Sequence, residues 1–446
     1  MDKIRFYISI IFARLVYTII KLLGMTSGTS FAGMITLKLC PEFLRYCRHY
    51  IKQTSITVTG TNGKTTTSGI LAHILETNNH SVIHNAKGAN MLTGIANVFA
   101  LNIGPFKKFD YAVIESDEAY LAKLYDYFKA DYLVVTNLFR DQLDRYGELS
   151  TTASFIQNAI VKNRALKLIL NADDPLVTGF GKDRQAKYFG LEDVQICSDI
   201  HNTSSTAPGE VFNCVCCGKP LEYDKRFFAQ EGHYYCKFCT YKRPEPDYRG
   251  YLKIYEDCSE LTVKTKENIY EFKTGLVGLY NAYNVLGAIS CGLENGIDYG
   301  IIKQALISYR SIFGRAERRV INGHSTLIQL IKNPAGASEV LKTVDLSSNI
   351  VIAINDNYAD GRDISWLWDS DFEQLKNAKK PIITSGTRAK DVALRLKYAG
   401  INQDRIVVEQ DLKSAVELAV KSQNDNEKIT ILPSYTALLK LSKMEF

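Results

Sequence analysis

The chain has 446 residues, 46% of them hydrophobic and 23% charged, with a formal net charge of +6. That length supports about two to four domains with ample core, and the composition excludes an intrinsically disordered chain. The mild positive charge argues against a nucleic-acid coat, while it suits an anionic lipid surface or a phosphorylated substrate.

Residues 4–23, IRFYISIIFARLVYTIIKLL, are strongly apolar but interrupted by Arg5, Arg14 and Lys21. No uncharged run approaches the roughly 18 residues needed to span a bilayer. Lys3, Arg14 and Lys21 recur at intervals that place them on one face of a helix. Two readings stay open: an interfacial helix lying among anionic head groups, or a helix packed on its own protein or a partner with snorkelling cations. No cleavable secretory signal is evident, and the cysteine pattern below suits a reducing compartment. The expectation is a cytoplasmic protein, with a peripheral place at the inner membrane face through residues 1–24 left open.

Residues 56–67 read ITVTGTNGKTTT. A β-branched strand enters a turn made of Gly60, Thr61, Asn62 and Gly63, and Lys64, Thr65 and Thr66 then open an apolar-spaced helix. Two glycines let the backbone turn tightly, so that N–H groups and the helix N-terminus face an anion. Lys64 is placed to reach the β- and γ-phosphates and the Thr65 hydroxyl to ligate Mg²⁺, so ATP and Mg²⁺ are expected. The general pattern G-x-x-x-x-G-K-[ST] departs here only at Val58.

From about residue 51 strands and helices alternate. Strands are predicted at 56–59, 81–84, 111–115, 132–136 and 166–170, with helices between them such as 119–128 and 152–161. Alternation of this kind means a mostly parallel sheet covered on both faces, with ligands beyond the carboxyl ends of its strands. Glu115 ends the strand FDYAVIE one crossover from the phosphate loop and is a natural Mg²⁺ ligand, whereas Asp117 and Glu118 are expected to cap the next helix. Thr136-Asn137 and the Asp141–Arg145 cluster either touch metal or nucleotide or cap a helix.

A polar linker at 201–210 leads into a cysteine-rich insert of about 205–250. Cys214-x-x-Cys217 and Cys236-x-x-Cys239 present four thiolates at tetrahedral spacing for Zn²⁺, with Cys216 or His233 as substitute ligands and a disulfide pair or reduced, buried thiols as the alternative reading. A closed four-sulfur site would serve folding or docking rather than catalysis. Residues 311–319 read as a connector. A second alternating block follows, with strands at 325–330, 350–354, 381–385, 405–409 and 429–433. After the second of these, Asp356, Asp360, Arg362 and Asp363 crowd beside Gly361, followed by the only two tryptophans, Trp366 and Trp368. That is an active-site-like polar loop anchored by bulky side chains, or else a solvated turn whose acids cap a helix.

Taken together, GTNGKTTT, Glu115-Ser-Asp-Glu118, TNLFRDQLDRYGE, NADDP at 171–175, Gly278–Asn284 and Gly314-Arg315 resemble the Mur ligases and folylpolyglutamate synthetases over roughly residues 50–320. The resemblance implies an α/β architecture: a P-loop Mur-ligase central domain over 51–318 carrying the four-cysteine zinc-ribbon insert, then a smaller Rossmann-like domain over 319–446. Residues 1–50 form an apolar helical segment before them. It also implies that Glu115 binds Mg²⁺, that Asn281 contacts adenine and that Arg315 closes on the nucleotide. ATP would phosphorylate a carboxylate, and an amine would attack the acyl phosphate.

Three departures narrow it. Only about fifty residues precede the loop, too few for a uridine-nucleotide domain. Gln142 stands where a metal-binding histidine is expected and no modified lysine is evident, which leaves one Mg²⁺ or two open. The cysteine insert is foreign to the ordinary ligases. With the 355–368 loop and the segment 384–400, these features resemble the MurT branch, the Mur-ligase-like subunits of lipid II isoglutaminyl synthases. That implies amidation of the α-carboxylate of D-glutamate in the lipid II stem peptide, with ammonia from a separate glutaminase subunit, GatD. An aspartate of the loop would orient the partner's histidine, with Asp360 in front and Asp356 behind. Alternatives are an amino-acid ligase acting on a folate or free muropeptide, or a zinc-ribbon ATPase on nucleic acid. The last lacks a basic, aromatic-interleaved stripe, so no nucleic-acid partner is expected.

Overall fold

Alternate strand residues feed two different cores. Tyr111 and Val113 enter one and Ala112 and Ile114 the other, and Tyr132 and Val134 separate likewise from Leu133 and Val135. That period of two with both faces apolar is what a sheet buried between helix layers requires. In this computed structural model, which describes residues 2–22, 28–86, 89–139, 149–197, 212–310, 315–421 and 428–444, the chain forms two compact units dividing near residue 310.

The first unit is built on nine strands: β1 (Ile51–Thr59), β2 (Val82–His84), β3 (Phe109–Glu115), β4 (Tyr132–Val135), β5 (Lys167–Asn171), β6 (Ala186–Ile196), then β9 (Tyr248–Ile254), β10 (Ser259–Lys264) and β11 (Ile269–Thr274). Between β6 and β9 a separate ribbon pairs β7 (Glu222–Phe228) with β8 (Glu231–Tyr235). The sheet order is β11-β10-β9-β6-β5-β4-β1-β3-β2, parallel from β2 to β9 and closed by an antiparallel β9-β10-β11 meander. The helices are α1 (Asp2–Leu22), α2 (Gly28–Leu39), α3 (Phe43–Cys47), α4 (Lys64–Thr77), α5 (Leu92–Asn102), α6 (Glu118–Tyr127), α7 (Leu149–Lys162), α8 (Pro175–Thr178), α9 (Leu279–Glu294) and α10 (Tyr299–Ser308).

Helices α4, α9 and α10 cover one sheet face. The other is covered by α5, α6 and α7 together with α1 and α3, through Phe6, Ile10, Ala13, Phe43 and Cys47. The amino-terminal helices are thus part of this unit's core. The expected basic stripe is corrected here: Arg14 turns back onto the protein, where Nε donates to the Ala100 carbonyl at 3.1 Å and Nη2 to that of Ile103. The end of α5 offers unpaired carbonyls, which a guanidinium satisfies better than a lipid head group would.

The second unit carries β12 (Arg315–Ile321), β13 (His324–Gln329), β14 (Asn349–Ala353), β15 (Ile382–Ser385), β16 (Ile406–Val408) and β17 (Ile429–Pro433), in the order β12-β13-β17-β14-β15-β16. The five strands from β13 to β16 are parallel, and β12 adds an antiparallel edge. Residues 315–319 of the expected connector are therefore strand, and 311–314 lie outside the described residues. The RAERRVI sequence lacks an apolar alternation because an edge strand with charged side chains resists unwanted pairing.

Candidate active site

Gly60 and Gly63 adopt φ of +124° and +84°. A Cβ on Gly60 would lie 2.3 Å from Thr136 Oγ1, and one on Gly63 would lie 1.9 Å from Asn284 Oδ1, so neither position accepts a side chain. The loop between them is braced from β4: Thr61 N donates to the Asn137 carbonyl at 2.9 Å, Asn62 N donates to Asn137 Oδ1 at 2.8 Å, and Thr136 Oγ1 donates to the Asn62 carbonyl at 2.7 Å. Thr136 and Asn137 thus support the loop rather than cap a helix. The Asp141–Arg145 cluster lies outside the described residues.

Lys64 and Thr66 are buried at the start of α4. Lys64 Nζ donates to the Gly60 carbonyl and reaches Glu118 Oε2 at 3.1 Å, a pair whose side chains are only 10% and 6% exposed. Asp117 is the N-cap of α6, accepting from Ala119 N at 3.1 Å, as expected. Glu118 does something else: it holds the lysine of the phosphate loop.

Glu115 lies in register with Val58, two residues before the loop begins. Its Oε1 accepts from Asn90 at 3.2 Å, while Oε2 is buried with no hydrogen-bond partner. The Thr65 hydroxyl is buried and unpartnered as well. Buried orphan oxygens cost roughly 1–3 kcal/mol each when nothing binds them. A threonine hydroxyl and a carboxylate oxygen are also the hard donors that Mg²⁺ takes. The residues present therefore fit the ion. Asn281, buried in the first turn of α9, donates to the Val277 carbonyl at 2.8 Å, and its neighbour Asn284 is the one against Gly63. Arg315 begins β12, in the second unit.

The four thiolates of Cys214, Cys217, Cys236 and Cys239 all lie within 4.8 Å of one another. The Cys214–Cys239 and Cys217–Cys236 sulfur separations are 3.5 Å, too long for a disulfide and right for edges of a tetrahedron. Backbone N–H groups of Cys216 and Phe238 donate to Cys214 Sγ and Cys236 Sγ at 3.4 Å. Cys216 and His233 are not part of the cluster; His233 Nε2 bonds the Leu191 carbonyl at 2.8 Å. The turn between β7 and β8 reaches the braces of the phosphate loop. Gln230 donates to the Leu138 carbonyl, and Glu231 Oε1 accepts from Asn171, which also donates to the Thr136 carbonyl at 2.9 Å. Buried Asp173 takes Arg243 at 2.5 Å and Tyr283 at 2.8 Å. Asp174 caps α8 and accepts from Leu138 N, and its burial pushes its carboxyl up to about 6.

In the second unit the loop after β14 buries Asp360, the acid expected in front, more deeply than Asp356, the acid expected behind it. Asp360 is buried and filled: it accepts from Thr436 N at 2.7 Å, from Thr436 Oγ1 and from Asn357 N at 3.2 Å. Asp356 and Asp363 are both partly exposed. The Thr387 hydroxyl and the Arg388 guanidinium, at 2.8 Å and 2.7 Å, hold the Asp356 carboxyl below the usual carboxylate range. Tyr358, between them, is 76% exposed.

Comparison with known proteins places these features together. Residues 58–219 match the Mur ligase middle domain and residues 330–438 the MurT ligase C-terminal domain. The MurT subunit of lipid II isoglutaminyl synthase from Staphylococcus aureus (strain COL) is 35% identical over 416 residues, spanning 92% of this chain and 91% of that protein. The MurT subunit from Streptococcus pneumoniae (strain ATCC BAA-255 / R6) is 33% identical, spanning 94% and 92%. This chain belongs to the MurT family. Among solved structures, a pseudomurein peptide ligase type C from Methanothermus fervidus aligns with a TM-score of 0.67 at 21% identity, over 88% of this chain and 79% of that one. Mycobacterium tuberculosis folylpolyglutamate synthase aligns at 0.62 and 15%, over 92% and 94%. These two share the Mur-ligase fold. No described helix is long and apolar enough to cross a membrane.

Four features of this MurT-family site were not assigned from sequence: the Lys64–Glu118 pair, Asn284 against Gly63, the Thr136-Asn137 brace, and the Gln230-Glu231 turn. Only Glu118 carried a usable signal, because an acid at the first position of the crossover helix stands near the phosphate loop in any such fold.

Proposed function

We propose that the chain is the ATP-dependent synthetase subunit that amidates the α-carboxylate of D-glutamate in the stem peptide of lipid II, giving D-isoglutamine for peptidoglycan synthesis. Its membership of the MurT family supports that substrate. The observation that carries the chemistry is the pair of orphaned buried oxygens, Thr65 Oγ1 and Glu115 Oε2, beside a lysine-bearing phosphate loop. Bound there, Mg²⁺ would neutralise charge on the transferring phosphoryl group.

The backbone of Gly60–Gly63 with Lys64, Thr65 and Thr66 cradles the triphosphate, Asn281 contacts the adenine and Arg315 closes on the nucleotide. Lys64 exchanges Glu118 for phosphate oxygens, a swap that keeps the buried ammonium paired throughout. A carboxylate oxygen of the stem peptide attacks the γ-phosphorus, ADP leaves, and the acyl phosphate forms. Ammonia then attacks the acyl carbon, phosphate departs with the C–O electron pair, and the excess proton leaves the nitrogen. Ammonia comes from glutamine hydrolysed by a separate glutaminase subunit, GatD. Accessible, ionised Asp356 orients that subunit's catalytic histidine, and Asp360 holds the loop in shape behind it. Cys214, Cys217, Cys236 and Cys239 would hold Zn²⁺ as a closed structural centre that ties the β7-β8 ribbon together. The reaction occurs in the cytoplasm, where the lipid tail of the substrate keeps it at the inner membrane face.

The test is the mass change from acid to amide on lipid II, with the purified complex, ATP and glutamine. Product from a folate and none from lipid II would replace this reading with the amino-acid-ligase one.

A further inference from the structure

Helix α1 has two unlike faces. Phe6, Ile10 and Ala13 are buried in the core, while Ile4, Ile8, Ile11, Phe12, Leu15, Ile19 and Leu22 are 41% to 81% exposed. At 3.6 residues per turn these seven fall within an arc of about 100° on the side away from the sheet. Arg5 borders one edge of that stripe, Lys3 and Lys21 lie about 80° beyond the other, and residues 3–22 contain no acid.

A second element stands beside it. Arg14 fixes the middle of α1 to the Ala100 and Ile103 carbonyls. Directly after Ile103, a turn closed by the Gly104–Lys107 bridge presents Phe106 at 101% exposure, followed by exposed Lys107 and Lys108. A fully exposed phenylalanine next to two lysines is costly in water and suits a boundary between head groups and acyl chains.

We propose that this face, α1 with the Phe106 turn, docks the protein in-plane onto an anionic phospholipid surface. Charge complementarity favours lipid over protein, since cations flank the apolar stripe on both sides, with Lys107 and Lys108 beside Phe106 and no acid in residues 3–22. Size argues the same way. A stripe about 27 Å long and one helix face wide offers far less than the roughly 800 Å² per partner of a stable protein interface. The surface does not depend on the proposed reaction, because vesicle binding is read without turnover. Its failure leaves the ligase reading untouched.

The experiment is co-sedimentation of the purified complex with vesicles of phosphatidylcholine alone, or with about one-third phosphatidylglycerol. Binding at least about tenfold stronger to the anionic vesicles is expected. The double substitution Ile11→Glu/Leu15→Glu should abolish it without moving the thermal midpoint, since both side chains are already in water. Phe106→Ser should weaken it less. Undetectable wild-type binding, or equal binding by the double variant, overturns the proposal. So does a lipid-free dimer that the double variant splits while vesicles bind neither form; that outcome assigns the face to a second copy.

Discussion

The phosphate loop of the first unit and the aspartate loop of the second are both polar turns at the carboxyl end of a parallel sheet, yet they stand in opposite electrostatic states. Around the phosphate loop, two buried oxygens lack partners and a lysine is held by a buried carboxylate. Around the aspartate loop almost everything is paired: Asp360 takes three hydrogen bonds and Asn355 bonds Thr436 and Thr387. Unmet buried valence marks a place where a ligand completes the structure. A self-satisfied loop that keeps Asp356 ionised and partly exposed marks a rigid mount for a group supplied from outside.

The sharpest way to break this contrast is at Lys64. Lys64→Met alone takes the cation away from the buried Glu118 carboxylate, so it should cost stability, about 3–5 kcal/mol, as well as activity. Adding Glu118→Gln should restore the melting temperature while ATP-dependent amidation stays down by about 10³-fold or more. Recovery of activity in the double variant would remove the loop from the chemistry.

Next in size is the aspartate loop. Asp356→Asn should lower glutamine-driven amidation about 10²- to 10⁴-fold while amidation from added ammonium salt continues. Asp360→Ala should instead strand its donors and lower thermal stability by about 1–3 kcal/mol. If the two phenotypes are exchanged, the assignment of front and rear acids is reversed.

Glu115→Gln removes one anionic ligand but keeps the shape. The Mg²⁺ concentration at half-maximal ATP turnover should rise about tenfold, with thermal stability in Mg²⁺-free buffer unchanged or raised. The effect furthest from the reaction concerns pH. Burial pushes His84, at the end of β2 and 3.2 Å from Ser68 on α4, down to about 4. The unfolded imidazole titrates near 6.5, so the stability it contributes is present above that value and lost as pH falls toward 4. His84→Gln should flatten the unfolding profile across that window by at most about 3 kcal/mol, as read from denaturant midpoints.

Much of the molecule is legible without coordinates because it depends on short-range rules. The β-branched run before Gly60, the glycines of the loop, the Cys-x-x-Cys knuckles and the strand–helix alternation each follow from a local period or spacing. Some element boundaries match expectation within a residue, as for β4 and β17, whereas β1 begins at Ile51, five residues before its expected start. Where charge replaced alternation, as in β12, the sequence reads as a connector although the backbone pairs.

Local patterns along the chain encode an inventory: a phosphate loop, four thiolates in two knuckles, an acid at a strand end, a greasy basic helix. The pairings among these groups arise only once the chain is folded. Glu118 meets Lys64 across 54 residues, Arg14 meets the end of α5 across 86 and 89, and Thr436 fills Asp360 across 76. The physical reason is that hydrogen bonds and ion pairs are satisfied by whatever the packing brings within about 3 Å, and no periodicity along the chain encodes that distance.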